Sequence, residues 1–329
     1  MPEVGHVLVT GATGFVGSHL VDVLAARGTR IRALVRPSSD TRRLEGLGAE
    51  LCRTGFDDAR ALREAVEGVD VVFHLAAATR ATTEAEYERV NAGATEALVA
   101  AIRAADRPPR RLVYLSSLAA VGPSQNGRPV ARDETPRPIT AYGRTKLAGE
   151  RIALAAANDV EVVVLRAPAV YGPRDRDLFI YFRLAARGFL PVPAGPDRLV
   201  QLIHAADLAE ALVLGATAPG AAGVYHVAEP RPYAWREVAR SIAAAVGRRA
   251  VEIPIPAGLV IASAAVSERI AALAGRATIF NREKARELLA AGWLCETESA
   301  RAELGFEPRF ELRQGLADTA AWYRANGWL

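Results

Sequence analysis

The chain has 329 residues, 50% of them apolar and 24% charged, which excludes a disordered or fibrous protein and allows one large or two closely joined domains. A net charge of +4 permits an anionic partner, but the arginines are scattered among acids with few aromatics beside them, so nucleic acid is not an expected partner. Two distant cysteines, Cys52 and Cys295, suggest neither a disulfide framework nor a metal site, and "MPEVGHVLVTGATG" lacks the pattern of a secretory signal, so a reducing cytoplasm is the expected compartment.

In chain order, short β-branched runs alternate with Ala/Leu-rich segments: "HVLVT", "FVGSHLVDVLAARG", "RIRALV", "AELCRT". The alternation predicts an α/β fold, a doubly wound parallel sheet covered by helices. The further runs "VDVVFHL", "RRLVYLSS" and "VEVVVLRAPAV" are nearly continuous in apolar character, as strands covered on both faces are. Helices are expected over Asp58 to Glu67, Glu84 to Ala104 and Thr140 to Ala157, and Gly28 stands where a helix would end in a left-handed residue.

Beyond about Gly172 the pattern loosens. "RGFLPVPAGPDR" reads as a Pro/Gly-rich loop, "GVYHVAE" as a late strand returning to the sheet, and the remainder as a smaller, mostly helical substrate-binding region. The expected division is residues 1–171 with about 202–228 in a dinucleotide-binding domain, and about 172–201 with 229–329 in the second domain. The stretch Ile253 to Ser267, interrupted by Pro254, Pro256 and Gly258, is too short to cross a bilayer and is expected as a buried helix with its lead-in.

Gly11, Gly14 and Gly17 lie between the first strand and the first helix, with small Thr10, Ala12 and Thr13 around them. Such glycines permit a tight turn, a close backbone approach to pyrophosphate and close helix–strand packing, while the first helical N–H groups face the anion. The spacing departs from G-x-G-x-x-G, but the strand–turn–helix context is the one that pattern needs. The second strand ends at Arg36, where an acid would bind the adenosine ribose of NAD; an arginine instead suits a 2′-phosphate, aided by Ser38, Ser39, Arg42 and Arg43. NADP is therefore the preferred cofactor and NAD the alternative.

"ITAYGRTKLAGE" holds one of only two lysines in the chain, Lys146, four residues after Tyr142. On a helix the two share a face, where an ammonium would stabilise a phenolate and lower its pKa. Ser116 and Ser117 end the strand "RRLVYLSS", at the edge where doubly wound sheets bind ligands.

With "TGATGFVG", "VFHLAA", "VNAGATEAL", "LSSLAAVG", "YGRTK", "RAPAVYGP" and "LIHAADLAEAL", the chain resembles the extended short-chain dehydrogenase/reductase family, epimerase/dehydratase-like, over nearly its whole length. The resemblance implies a Rossmann domain and assigns Ser117, rather than Ser116, to the substrate oxygen. It makes Tyr142 the general acid/base, Lys146 the ribose-binding partner of Tyr142, and Asn91 the support of the active-site helix. It also implies cofactor contacts from Gly11, Thr13, Gly14, Phe15, Val16, Gly17, Ala76, Ala77, Pro168 and Val170, a helix-capping Asp207 beside His204, and a homodimer paired through the helices starting near Glu84 and Thr140; His74 is expected to make structural hydrogen bonds.

Several family positions differ here. Gly55 stands where an acid often meets adenine, leaving Asp57 as a weak candidate and Asp58 as a helix cap. Leu118 and Ala119 follow Ser117 where a dehydratase has an Asp-Glu pair, and Ala169 and Val200 replace the asparagine and arginine that serve a sugar diphosphate, although Arg174, Arg176 or Arg198 could do so by another route. The segments "IPIPAGLVIASAAVSERIAALAG" and "AWYRANGWL" resemble dihydroflavonol-reductase-like and hydroxysteroid-dehydrogenase-like members. The implied function is an NAD(P)-dependent oxidoreductase acting on a carbonyl or secondary alcohol of a small molecule. The alternatives are a nucleotide-sugar epimerase and a non-catalytic dinucleotide-binding subunit.

Overall fold

The computed structural model describes residues 4–273, 278 and 280–329. Its main strands are β1 (His6–Thr10), β2 (Arg30–Val35), β3 (Glu50–Arg53), β4 (Val71–His74), β5 (Arg111–Ser117) and β6 (Glu161–Ala167). Period-two alternation sends their side chains to opposite faces. Val7 and Val9 of β1 enter one core and Leu8 the other; Val163 and Leu165 of β6 enter the first, Val162 and Val164 the second. The sheet is parallel throughout in the order Gly223–His226, β6, β5, β4, β1, β2, β3. The order reverses between β1 and β4, which opens a crevice at the carboxyl ends of those strands.

Helices Phe15–Ala26 and Ala205–Thr217 cover the first face through Leu20, Leu24, Leu208 and Leu212. Helices Ala59–Val66, Ala94–Ala104 and Ala141–Ala155 cover the second through Leu62, Leu98, Ile102 and Ala153. Gly28 has φ +71°, the left-handed conformation expected after the first helix. The segment expected as one helix from Glu84 to Ala104 contains a π-helical turn, Arg89–Gly93, which re-aims Asn91.

A third core gathers Tyr171, Phe182, Leu190, Val192, Tyr233, Val238, Ile242, Leu316 and Tyr323 from the later segments. Ala300, Leu304 and Phe306 pack instead in the core of the main sheet. The supposed Pro/Gly loop contains a strand, Phe189–Pro193, paired in parallel with Val251–Ile255. Prolines are tolerated because both strands of a two-stranded sheet are edges. Ile253 to Ser267 also differs from expectation: it joins that strand to helix Ala257–Leu273, of which only one side is buried. Among the described residues no helix is long and apolar enough to cross a membrane.

Candidate active site

Thr10, His74 and Tyr114 are register neighbours across β1, β4 and β5, so the loops beyond them meet at one edge. Gly11, immediately after Thr10, has φ +72°, and a methyl group there would lie 2.8 Å from the backbone nitrogen of Ala76. A methyl at Gly17 would overlap the carbonyl oxygen of Gly11, so the first helix can sit this close to β1 only without a side chain at that position. Gly14 caps the helix without a side-chain bond, which leaves the N–H groups of Phe15, Val16 and Gly17 without intrahelical partners; no acid occupies the first turn. Thr13 and Gly14 are exposed at the rim. This empty-sided turn fits a dinucleotide pyrophosphate.

At the end of β2, Arg36 is exposed and has no carboxylate partner among the described residues, whereas Arg42 pairs with Asp40 and Arg43 with Asp22. Arg36 alone of the three is uncommitted. Beyond β3, Asp58 caps its helix by accepting from the N–H of Ala61 at 2.9 Å, and the Asp57 carboxylate closes over Gly55.

Helix Ala141–Ala155 brings Tyr142 and Lys146 to this edge. Thr140 caps it, and Gly143 and Gly149 let it approach: side chains there would overlap the carbonyl oxygens of Ala119 and Asn91. Gly143 thus holds the first turn, with Tyr142, against the residues that follow Ser117. Ser117 faces Tyr142 and pulls its phenol pKa down, but burial dominates and pushes it up to about 12. The Lys146 ammonium turns toward β5, where Nζ donates to the Leu115 carbonyl at 2.7 Å and sits 4.3 Å from the centre of the Tyr114 ring. Lys146 is 2% exposed; burial lowers its pKa to about 7, opposed by Glu150.

Asn91 connects the two halves of the site. Its Oδ1 accepts from the N–H of Ala78 at 2.7 Å, and its Nδ2 donates to the Ala78 carbonyl and, at 3.0 Å, to Thr145 Oγ1 on helix Ala141–Ala155. Thr10 Oγ1 accepts from the N–H of Ala76 and meets His74 Nδ1 at 2.7 Å; His74 Nε2 meets Thr95 Oγ1, which donates to the Asn91 carbonyl. Counting donors places the imidazole proton on Nε2. Burial pushes the His74 pKa down to about 3, so the ring is neutral and structural. Ala76 borders the glycine turn and Ala77 follows it, while Pro168 to Val170 follow Ala167, the register partner of Ser117.

Sequence reasoning missed two groups. Glu150, one turn beyond Lys146, accepts from Arg166 at 2.5 and 3.1 Å and from Ser116 at 2.7 Å, all buried. The signal was present: an arginine inside the apolar run of β6, and an acid four residues after Lys146 on the same helix face. The second group lies on helix Arg282–Leu289. There Glu283 accepts from the N–H of Ala141 at 2.7 Å and Glu287 from Thr140 Oγ1 at 3.2 Å, roofing the start of helix Ala141–Ala155.

The sequence profile of the NAD dependent epimerase/dehydratase family matches residues 7–228. The chain belongs to this family. It is 34% identical to the ceramide reductase of Caulobacter vibrioides over 328 residues, covering 99% of this chain and 96% of that protein. It is 31% identical to the 3 beta-hydroxysteroid dehydrogenase/Delta 5-->4-isomerase of Mycobacterium tuberculosis, covering 98% and 91%. Among solved structures, MoeE5 in complex with UDP-glucuronic acid and NAD matches with a TM-score of 0.76 at 30% identity, covering 98% of this chain and 100% of that one. With such relatives this member of the epimerase/dehydratase family is an NAD(P)-dependent oxidoreductase of the extended short-chain type.

Within this family member the arginines considered for a sugar diphosphate have other partners. Arg174 holds Asp22 at 3.0 Å and His19 at 2.9 Å, Arg198 donates to the Leu289 carbonyl, and Arg176 lies over Trp328. Asp207 does not cap its helix. His204 does, accepting from the N–H of Ala206, while Asp207 holds the N–H of Phe310 at 3.0 Å and so ties down the C-terminal segment.

Proposed function

We propose that the protein is an NADP-dependent reductase of a ketone carried by a largely apolar molecule, with Tyr142 as proton donor. The observation that carries the reading is the meeting of Ser117, Tyr142 and Lys146 at the carboxyl end of β5, beside the glycine turn. Ser117 would hold the carbonyl oxygen, and Tyr142 would protonate it as negative charge develops. Bound nicotinamide would supply the hydride. A phenol at about 12 stays protonated at neutral pH, which suits donation to a carbonyl oxygen better than abstraction from an alcohol. Lys146 has two further donors for ribose hydroxyls, and Asn91 fixes the helix that presents it.

The substrate class is supported by relatives named for ceramide and hydroxysteroid chemistry and by the hydrogen bonds that occupy Arg174 and Arg198, two of the three arginines considered for a diphosphate. A panel of long-chain ketones, hydroxysteroids and UDP-sugars, followed by cofactor absorbance and product analysis, tests it. Turnover confined to UDP-sugars without net NADPH loss would establish the second reading, epimerisation, which the likeness to the UDP-sugar complex favours.

Cofactor choice rests on Arg36. Arg36→Glu should raise the NADPH dissociation constant about tenfold or more, the value of a charge-assisted hydrogen bond, and change that of NADH little. Equal affinity of the unaltered protein for both cofactors would remove the assignment. A cytoplasmic homodimer, paired through the exposed faces of helices Ala94–Ala104 and Ala141–Ala155, is the proposed form. Exposed Ala100, Ala104 and Ala155 would allow close helix approach. Light scattering should give twice 35.0 kDa, and a monomer at all concentrations would refute the pairing.

A further inference from the structure

Ile253 to Ser267 contains no charged residue, yet much of it faces outward. Helix Ala257–Leu273 buries Val260 and Ala264 against Phe280, Ala285, Leu288 and Leu289. Steps of three and four residues align Leu259, Ala262, Val266, Ile270 and Leu273 on its opposite side. Leu259, Val266, Ile270 and Leu273 are 60%, 57%, 63% and 90% exposed. On the preceding strand Val251 and Ile253 share one face, and Phe189, the register partner of Val251, is half-exposed. On the helix these apolar side chains stand in one stripe rather than as the scattered single residues an ordinary surface carries, and the strand pair adds three more.

The charge around the array has one sign. Its two flanking acids are neutralised, Glu252 by Arg236 and Arg240 and Glu268 by Arg282. Arg187, Arg248, Arg249 and Arg269 are exposed and meet no carboxylate among the described residues. The strand register puts Arg187 and Arg249 at the same end of the pair.

We propose that this face docks on the surface of a bilayer containing anionic lipid, with the apolar stripe at the acyl boundary and the four arginines at headgroup phosphates. A second copy of the chain is a poorer occupant, because a two-fold contact would set the arginine rims against each other. The buried side of the docked helix packs on Ala285, within the helix that roofs Thr140 and Ala141 through Glu283 and Glu287. One helix therefore separates the lipid surface from the start of the catalytic helix. The docking does not depend on the reaction proposed above and is read without turnover.

The test is sedimentation of the full chain with vesicles of phosphatidylcholine mixed with phosphatidylglycerol, against phosphatidylcholine alone. The protein should pellet with the anionic vesicles and bind the neutral ones about tenfold less. Leu259→Asp, Val266→Asp and Ile270→Asp together should weaken binding about tenfold or more, and Arg248→Gln, Arg249→Gln and Arg269→Gln together should abolish the preference for anionic lipid. All six side chains are exposed, so melting curves and NADPH binding should match the unaltered protein; where the aspartate variant melts early, the arginine variant decides alone. Protein left in the supernatant with both vesicles, or binding unaffected by either set, would overturn the proposal. So would light scattering in which the aspartates turn a dimer into a monomer, which would give the face to a second copy.

Discussion

Tyr142→Phe is expected to lower kcat by about 10²–10⁴-fold, the usual worth of a positioned acid, while NADPH binding stays nearly unchanged. The substitution removes one hydroxyl and leaves the ring, whose centroid lies 6.2 Å from that of Tyr87. Lys146 does not rely on that hydroxyl for its position, since its Nζ is held by the Leu115 carbonyl. The pH profile separates the two groups. A phenol at about 12 does not titrate near neutrality, whereas Lys146 at about 7 does. Because kcat/KM reports groups of the free enzyme, it should fall as pH rises above about 7 and the ammonium proposed to hold the cofactor discharges. A limb near the ordinary phenol value of about 10 would assign the titration to Tyr142 instead. Undiminished turnover by Tyr142→Phe would leave the proposed proton transfer without a donor.

The parts of this site legible in the sequence were those set by local rules. A glycine turn between an apolar strand and a helix, a strand ending in Ser117, and Tyr142 with Lys146 at helical spacing each follow from residue type and interval. The electrostatics were not legible, because they depend on which way a side chain turns after packing. The position of the Lys146 ammonium, which decides how it acts on Tyr142, is set by the carbonyl of Leu115 and the face of Tyr114, and both lie on a strand some thirty residues earlier. The C-terminal region was read least well for a related reason. Strand Phe189–Pro193 exists only through its pairing with Val251–Ile255, and nothing local to either stretch announces the other. Helix Ala257–Leu273 is mostly apolar, with Glu268 and Arg269 as its charged residues, a pattern that reads as buried, and only tertiary packing shows that one of its sides has no protein against it.

Glu150→Gln should cost about 3–5 kcal/mol of stability, the range for removing one partner of a buried ion pair. The Arg166 and Glu150 side chains are 5% and 2% exposed, and the amide keeps the shape of the carboxylate but none of its charge. Arg166 would then keep one uncharged amide oxygen, the Arg132 carbonyl at 3.5 Å and His226 Nε2 at 3.4 Å, none of which neutralises it. Ser116 loses its charged acceptor as well. Chemical denaturation reads the loss, and a change below about 1 kcal/mol would mean that Arg166 behaves as an exposed pair member does. Replacing both partners, Glu150→Met with Arg166→Met, should recover much of the loss, since it removes the buried charge along with its partner. The same substitution has a second consequence at the reacting centre. Glu150 is the group that holds the Lys146 pKa up against burial, so its removal should move the alkaline fall of kcat/KM to lower pH. A purely structural ion pair would change the denaturation curve and leave that limb where it was, so the shift in pH distinguishes a carboxylate that tunes Lys146 from one that only braces the helix.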